Sequence, residues 1–186
     1  MFEYSKEDGK KLLKLARESI MEEFEKASKL FEPEKVILPE EKQFRQARGV
    51  FVTLTKKGEL RGCIGFPYPE KSINKAVYEA AKMAAFEDLR FSPVKENEIK
   101  EIKIEISVLT IPEEVKDVKE IKIGRDGLIC NYLGYQGLLL PQVALEWKMD
   151  KIQFLEALAS KAGLPKSNWQ NKNFKMWRFQ AQIVKE

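Results

Sequence analysis

The sequence contains no histidine, only two cysteines and no long apolar run. The missing histidine excludes Cys–His dyads, Ser–His–Asp triads and histidine-containing metal sites built from this chain alone. Cys63 and Cys130 are too few for a disulfide framework and form a poor zinc ligand set. We therefore expect no metal and no cofactor. The chemistry must use Cys, Lys, Arg, Tyr, Asp or Glu, or groups that a partner supplies.

No stretch approaches the roughly 20 apolar residues of a membrane-spanning helix, and the N-terminus has no apolar signal core. We expect a cytoplasmic protein with reduced thiols that does not enter a membrane. The 33 basic and 29 acidic residues give a net charge of +4, which is mild for a dedicated nucleic-acid binder. The richness in lysine and glutamate suits a thermophile.

Apolar periodicity predicts the secondary structure. Helices are predicted over residues 5–28, 72–87, 142–148 and 150–163, with Ser5, Ser72 and Asp150 as their caps. Strands are predicted over residues 50–55, 60–66, 102–108, 121–123, 127–132, 136–140 and 176–184. The Asp126-Gly127 pair predicts a hairpin turn.

The order of these elements indicates an α+β fold, because strands and helices mix without strict βαβ alternation and hairpins dominate. We predict antiparallel sheets flanked by helices. In this arrangement two helices and the terminal strand close around the central hairpins and give a discontinuous larger part. Residues 1–186 would then form a single domain, in which a larger subdomain contains both termini.

Residues 60–65, Leu-Arg-Gly-Cys-Ile-Gly, form the most site-like stretch of the sequence. In a regular strand, Arg61 and Cys63 point to the same side. A cation beside a cysteine stabilises its thiolate. Gly62 and Gly65 let a second backbone or a ligand approach closely. The pattern therefore predicts a thiol site beside a guanidinium.

The roles of Cys63 and Arg61 each have an alternative interpretation. Cys63 is either a nucleophile or a small buried residue. A nucleophile needs a general base, for which the candidates are Asp88, Glu87 or a partner's residue. Alternatively, Arg61 alone stabilises the thiolate. Arg61 either binds an anionic group or forms a structural ion pair, and Asp88 is the candidate partner for that pair.

Residues 60–65 and the following Glu-Asp-Leu-Arg-Phe-Ser-Pro at 87–93 resemble the AMMECR domain family. Further matching stretches lie at residues 108–110, 124–128, 134–143, 146–147 and 161–164. The resemblance spans most of the chain. It implies a two-part α+β fold, with a larger part that holds both termini, a smaller inserted part and antiparallel sheets in each.

The resemblance implies no settled activity. Prokaryotic relatives occur beside, or fused to, Memo-type dioxygenase-fold proteins and radical-SAM proteins, which suggests a role in RNA base modification with such partners. On this hypothesis Cys63 forms a covalent adduct, Arg61 stabilises the thiolate and binds an anion, and Asp88 shuttles a proton. The expected binding residues are Gly62, Gly65, Arg90, Phe91 and Gln142.

A noncatalytic role is the alternative hypothesis. In it, the glycine-rich hairpin, residues 88–91 and residues 141–142 line a groove that binds a protein or a small ligand. Direct RNA binding through a basic face is a weaker third possibility. Against it, Trp147, Trp169 and Trp177 are expected in the core, and the lysine-rich surface is expected to be a solvated face balanced by acids.

Overall fold

The structure is a computed structural model that describes residues 4–28 and 36–186. Its contacts divide the chain into two compact units. The first unit contains the described residues up to Leu109 together with Gln182–Glu186, and the second is the uninterrupted stretch Thr110–Ala181. That both units belong to one domain over residues 1–186 stays a prediction.

The predicted α+β class is confirmed, because the described residues form helices and two antiparallel sheets. The helices are α1 (Lys6–Ser28), α2 (Ile73–Phe86), α3 (Pro141–Glu146) and α4 (Lys151–Lys161). The strands are β1 (Val50–Lys56), β2 (Glu59–Phe66), β3 (Ile102–Leu109), β4 (Glu113–Glu114), β5 (Gly127–Tyr132), β6 (Tyr135–Leu139), β7 (Lys175–Phe179) and β8 (Ala181–Lys185). The sheets run β2-β1-β3-β8 and β4-β7-β5-β6. Within the described residues, no helix has the length and apolar character needed to cross a membrane.

Two of the predicted helix caps are confirmed. The Asp8 N–H donates to Ser5 Oγ (3.1 Å) and the Ser5 N–H donates to Asp8 Oδ2 (3.0 Å), so α1 begins with a reciprocal capping box. Asp150 makes the same arrangement at the start of α4. The cap predicted at Ser72 is wrong in detail, because the Ser72 hydroxyl donates to Asn74 Oδ1 instead of accepting from the helix.

The first sheet packs one face against α1 and α2. Val50, Val52 and Leu54 of β1 are fully buried in this core, as are Ile104 and Ile106 of β3. Because side chains alternate along a strand, the intervening β1 and β3 residues lie on the opposite face. That face is mostly polar, with Thr53 and Glu105 half-buried on it, and we call it the open face.

A β-bulge interrupts the hairpin of β1 and β2. Leu54 pairs with Gly62, but the next residue, Thr55, pairs with Leu60. Arg61 is therefore an extra residue in β2. A bulge breaks the strict alternation of side chains, so the expectation that Arg61 and Cys63 share a face does not hold.

Two predictions for the second unit are wrong: the strand over residues 121–123 and the hairpin turn at Asp126-Gly127. Residues 121–123 form no strand, and residues 123–125 form a turn that leads into β5 without a hairpin partner. The buried Asp126 carboxylate fixes this turn, since it accepts from the Lys122 N–H (2.9 Å) and from the Arg125 guanidinium (2.6 Å). The Asp126-Gly127 pair predicted a hairpin with backbone hydrogen bonds between two strands. In the structure, hydrogen bonds to the Asp126 side chain stabilise the turn instead.

The predicted strand 176–184 is two strands, β7 and β8, which separate at Gln180. β7 pairs with β5, whereas β8 lies beside β3 in the other sheet. Trp177 and Ile183 therefore do not share one buried face with Phe179: Phe179 is buried and Ile183 is exposed.

Candidate functional site

Cys63 lies on the open face of the first sheet. Its Sγ is 3.2 Å from the Oγ1 atom of Thr53, the residue directly opposite on β1. The side chain of Cys63 is half-buried, in contrast to Cys130 in the second unit, which is fully buried. Burial raises the pKa of the Cys130 thiol to about 11. Of the two thiols, only Cys63 is placed to meet a reagent from solvent.

The backbone of Cys63 is held by the side chains of Asp88 and Arg90. The Cys63 N–H donates to Asp88 Oδ2 (2.9 Å), and its carbonyl oxygen accepts from Arg90 Nη2 (3.1 Å). β2 is an edge strand, so these backbone groups have no neighbouring strand to pair with. The loop after α2 supplies both partners and fixes the thiol in place.

Asp88 and Arg90 form a bidentate ion pair, with Arg90 Nε 2.9 Å from Asp88 Oδ1 and Arg90 Nη2 2.7 Å from Asp88 Oδ2. Asp88 is only 6% exposed. The hydrogen bonds from Arg90, followed by those from the Cys63 and Arg90 amides, hold the pKa of Asp88 well below its usual range. A carboxylate that stays ionised is a weak base, which argues against the predicted proton-shuttle role.

The guanidinium beside the Cys63 thiol is that of Arg90 and not that of Arg61. The pKa of Arg90 is raised, first by its hydrogen bond to Asp88 and also by charge and hydrogen-bond interactions with Cys63. The cation next to Cys63 is thus a loop residue that follows α2, whereas the sequence analysis placed Arg61 there.

Arg61 is engaged elsewhere. Its guanidinium donates to the carbonyl oxygens of Ser92 (2.8 Å) and Pro93 (3.3 Å) and pairs with Glu98 (3.0 Å). Arg61, together with Lys56, lowers the pKa of Glu98 to about 2. The predicted ion pair of Arg61 with Asp88 is wrong, because the bulge turns Arg61 toward residues 92–98.

The two glycines of the motif are required by packing. A Cβ atom on Gly62 would lie 2.0 Å from the carbonyl oxygen of Ala84 in α2. A Cβ atom on Gly65 would lie 2.2 Å from the Val50 carbonyl oxygen and 2.5 Å from the Phe51 ring. The protein itself fills the space at both positions, which gives no support to their predicted contact with a ligand.

The remaining predicted binding residues lie in different units. Phe91 is half-buried in the loop after α2, with the Arg90 guanidinium 5.5 Å from its ring centroid. Gln142 belongs to α3 of the second unit, where its Oε1 atom is buried without a hydrogen-bond partner among the described residues. Leu89, between Asp88 and Arg90, is 100% exposed.

Thr53 and Glu105 are site residues that the sequence did not reveal. The strand register places Cys63 opposite Thr53 and Thr53 opposite Glu105, so the three residues form a row across β2, β1 and β3. With strands about 4.8 Å apart, the row is about 10 Å long. Glu105 does lie on the predicted wet side of its strand, but strand order cannot be read from local periodicity.

The described ranges 4–28 and 36–186 contain no group of three or more His, Cys, Asp or Glu side chains placed to hold a metal ion. The candidate site consists of the Cys63 thiol, the Thr53 hydroxyl and the Glu105 carboxylate on the first sheet, with the Arg90 guanidinium supplied by the loop after α2. Such a set can deprotonate a thiol, stabilise the thiolate and orient an electrophile.

Comparison with known proteins identifies the class. The AMMECR1 family model matches residues 13–184, so the chain belongs to this family, and the predicted resemblance is confirmed. A protein of Methanothermobacter thermautotrophicus is 47% identical over 188 residues, covering 98% of this chain and 96% of that protein. A protein of Pyrococcus furiosus is 44% identical over 196 residues, covering 100% and 91%.

The fold is also similar to a solved structure. The crystal structure of an uncharacterised protein from Pyrococcus horikoshii superposes with a TM-score of 0.82 at 40% sequence identity, covering 94% of this chain and 89% of that one. Relatives from thermophilic archaea fit the lysine- and glutamate-rich composition.

Proposed function

We propose that this AMMECR1-family protein uses Cys63 as a nucleophilic thiol in nucleobase modification, as a subunit that works with partner proteins. The arrangement around Cys63 carries the proposal: a half-buried thiol 3.2 Å from the Thr53 hydroxyl, with its backbone held on both sides by Asp88 and Arg90. The nucleobase and the partners, Memo-type or radical-SAM proteins, follow from the family resemblance.

The residues of the row, together with Arg90, support addition of the Cys63 thiol to an electrophilic carbon. The thiol proton passes to the Thr53 hydroxyl, 3.2 Å away, and the final acceptor in this proposal is Glu105, the residue opposite Thr53 on β3, while Arg90 stabilises the thiolate. The sulfur adds to an electrophilic carbon such as C6 of a uracil ring. One sulfur–carbon bond forms, and the electron pair of the C5–C6 double bond moves toward the C4 carbonyl oxygen. No leaving group departs and no oxidant is needed, and reversal returns the proton to sulfur.

Alkylation by iodoacetamide tests the proposal. We expect Arg90→Gln to slow the modification of Cys63 at pH 7 by about fivefold or more, because a positive charge beside the thiolate is lost. Glu105→Gln is expected to slow it as well. Arg61→Gln is the matched control, since Arg61 bonds to residues 92–98, and its rate is expected to equal that of the wild type.

Mass spectrometry of the labelled peptide measures the rate at Cys63, and Cys130 serves as the buried internal reference. Far-UV circular dichroism establishes that each variant is folded. Equal rates for the wild type, Arg90→Gln and Glu105→Gln would contradict the activated thiol, as would a rate no faster than that of cysteine in the unfolded chain.

A noncatalytic protein-binding module is the second candidate, and the complete exposure of Leu89 favours it. Leu89 is held on a loop fixed by Asp88, whose carbonyl oxygen also accepts from the Phe91 N–H (3.0 Å). An exposed apolar side chain held on a fixed loop is available for contact with a partner protein.

Complementation of a strain that lacks the protein separates the two candidates. If Cys63 acts as a nucleophile, Cys63→Ser abolishes complementation and Leu89→Ser retains it. If the chain is a binding module built on the 60–65 hairpin and residues 88–91, the outcome is reversed. Leu89→Ser is expected to leave the unfolding free energy within about 0.5 kcal/mol of the wild type, because the side chain is exposed.

A further inference from the structure

Trp147, at the end of α3, is 72% exposed, contrary to the expectation that it lies in the core. It lines a groove of about 480 Å³ in the second unit, together with Met149, Gln153, Glu156 and Lys166. The groove therefore presents one large aromatic face, a thioether, an amide and charges of both signs to solvent.

Residues 157–175 contribute Ala157, Ser160 and Lys166 to the lining of this groove, and they form a basic stretch that we call the lysine run. It contains four lysines and no acidic residue. All four are exposed, and none forms an ion pair with the residues that the structure describes. They are Lys161, Lys166, Lys172 and Lys175.

Several lysines elsewhere in the chain, unlike those of the run, are neutralised by acidic partners. On α1 and α2, Lys26 and Lys82 each pair with Glu22 and Glu23. The expectation that the lysine-rich surface is balanced by acids therefore fails along the run. A surface with several uncompensated positive charges attracts a polyanion.

We propose that the groove and the lysine run form a binding site for single-stranded RNA. The lysines neutralise phosphates, and Trp147 stacks on a base. Glu156 and Gln153 are placed on the groove wall, where a carboxylate accepts from an exocyclic amino group of a base. A duplex keeps its bases stacked on one another and offers no free face to Trp147. This inference builds on the proposed function, because it identifies single-stranded RNA as the substrate class of the modification. RNA binding itself does not depend on a reaction at Cys63.

Fluorescence anisotropy of a labelled 12-nucleotide oligo(C) RNA, titrated with the full chain at several salt concentrations, tests the site. The wild type is expected to show a slope of log K against log salt of about −2 to −3, since each phosphate contact on a single strand contributes about −0.7. The triple variant K161Q/K166Q/K172Q is expected to reduce the magnitude of that slope by about 2.

The matched control is K42Q/K75Q/K100Q, which removes the same charge from exposed lysines of the first unit that form no ion pair with the described residues. Its slope and affinity are expected to stay close to those of the wild type. Trp147→Ala is expected to weaken binding roughly five- to hundredfold with an unchanged slope, because stacking carries no charge.

Any of three results would contradict this RNA-binding site. They are an equal loss of RNA affinity in the two triple variants, an equal affinity of the wild type for the single strand and a 12-base-pair duplex, and no RNA binding by the wild type at 50 mM salt. Thermal unfolding establishes that each variant is folded. If the wild type does not bind RNA but its Cys63 is alkylated at the expected rate, the groove proposal alone is refuted. If the wild type binds RNA but its Cys63 is unreactive, the thiol proposal alone is refuted.

Discussion

Replacing Asp88 with alanine is expected to lower the free energy of unfolding by about 2–4 kcal/mol. The change removes the carboxylate that bonds the Cys63 N–H and pairs with Arg90. An unsatisfied edge N–H and an unpaired guanidinium remain. The loss stays below that of a fully buried ion pair because Arg90 is 56% exposed and water solvates it.

Urea unfolding of the wild type and Asp88→Ala measures this loss. Glu87→Ala is the matched control, because Glu87 is the neighbouring carboxylate and is exposed. It is expected to change the unfolding free energy by no more than about 0.5 kcal/mol. A similar stability for both variants would show that the Asp88–Arg90 pair does not hold the edge of β2.

The contribution of Asp88 also has a defined pH dependence. Its pKa in the folded protein is lowered, so its stabilising effect is fully present above the unfolded value of about 3.9. The effect is lost as the pH falls through the lower folded pKa. The stability difference between the wild type and Asp88→Asn is therefore expected to be constant from about pH 7 to 5 and to shrink below about pH 4.

Gly62→Ala is expected to destabilise the protein by about 3 kcal/mol, the upper end of the range for overpacking. The added methyl group would lie 2.0 Å from the Ala84 carbonyl oxygen, which is backbone and cannot rotate away. α2 and β2 must separate to admit it. Because Cys63 is the next residue of β2, its alkylation rate is expected to change along with stability.

Gly58→Ala is the control for Gly62→Ala. Gly58 lies in the turn between β1 and β2 at φ +86°, with no atom within 4 Å of an added Cβ. Its substitution is expected to cost about 1 kcal/mol through backbone strain alone, without an effect on the Cys63 rate. Equal losses at both glycines would contradict close packing of α2 on β2 as the reason for Gly62.

Local signals in the sequence identified much of the fold. The capping box of Ser5 and Asp8 and the cap at Asp150 each involve residues three apart, so the sequence contains all that is needed to predict them. The alternation of Ile104 and Ile106 with polar residues likewise identified a strand with one wet face. These features depend on neighbours within one helical turn or a few strand positions.

The candidate site was harder to predict because it depends on pairing between strands. The bulge at Arg61 exists only relative to Leu54 and Thr55 of β1, and a one-residue offset exchanges the faces of a strand. The placement of Arg90 beside Cys63 depends on how the loop after α2 returns to the sheet edge. Local sequence indicated the thiol and a cation, but not which cation.

The division of one apolar run into β7 and β8 has a consequence for biosynthesis. β8 follows the whole second unit in the sequence, yet it completes the first sheet beside β3. On the ribosome, residues 110–181 must therefore emerge before the first sheet can gain its fourth strand. Until then the outer edge of β3 is open to pairing with other chains. A nascent chain stalled before Gln180 is in this respect the state most exposed to aggregation.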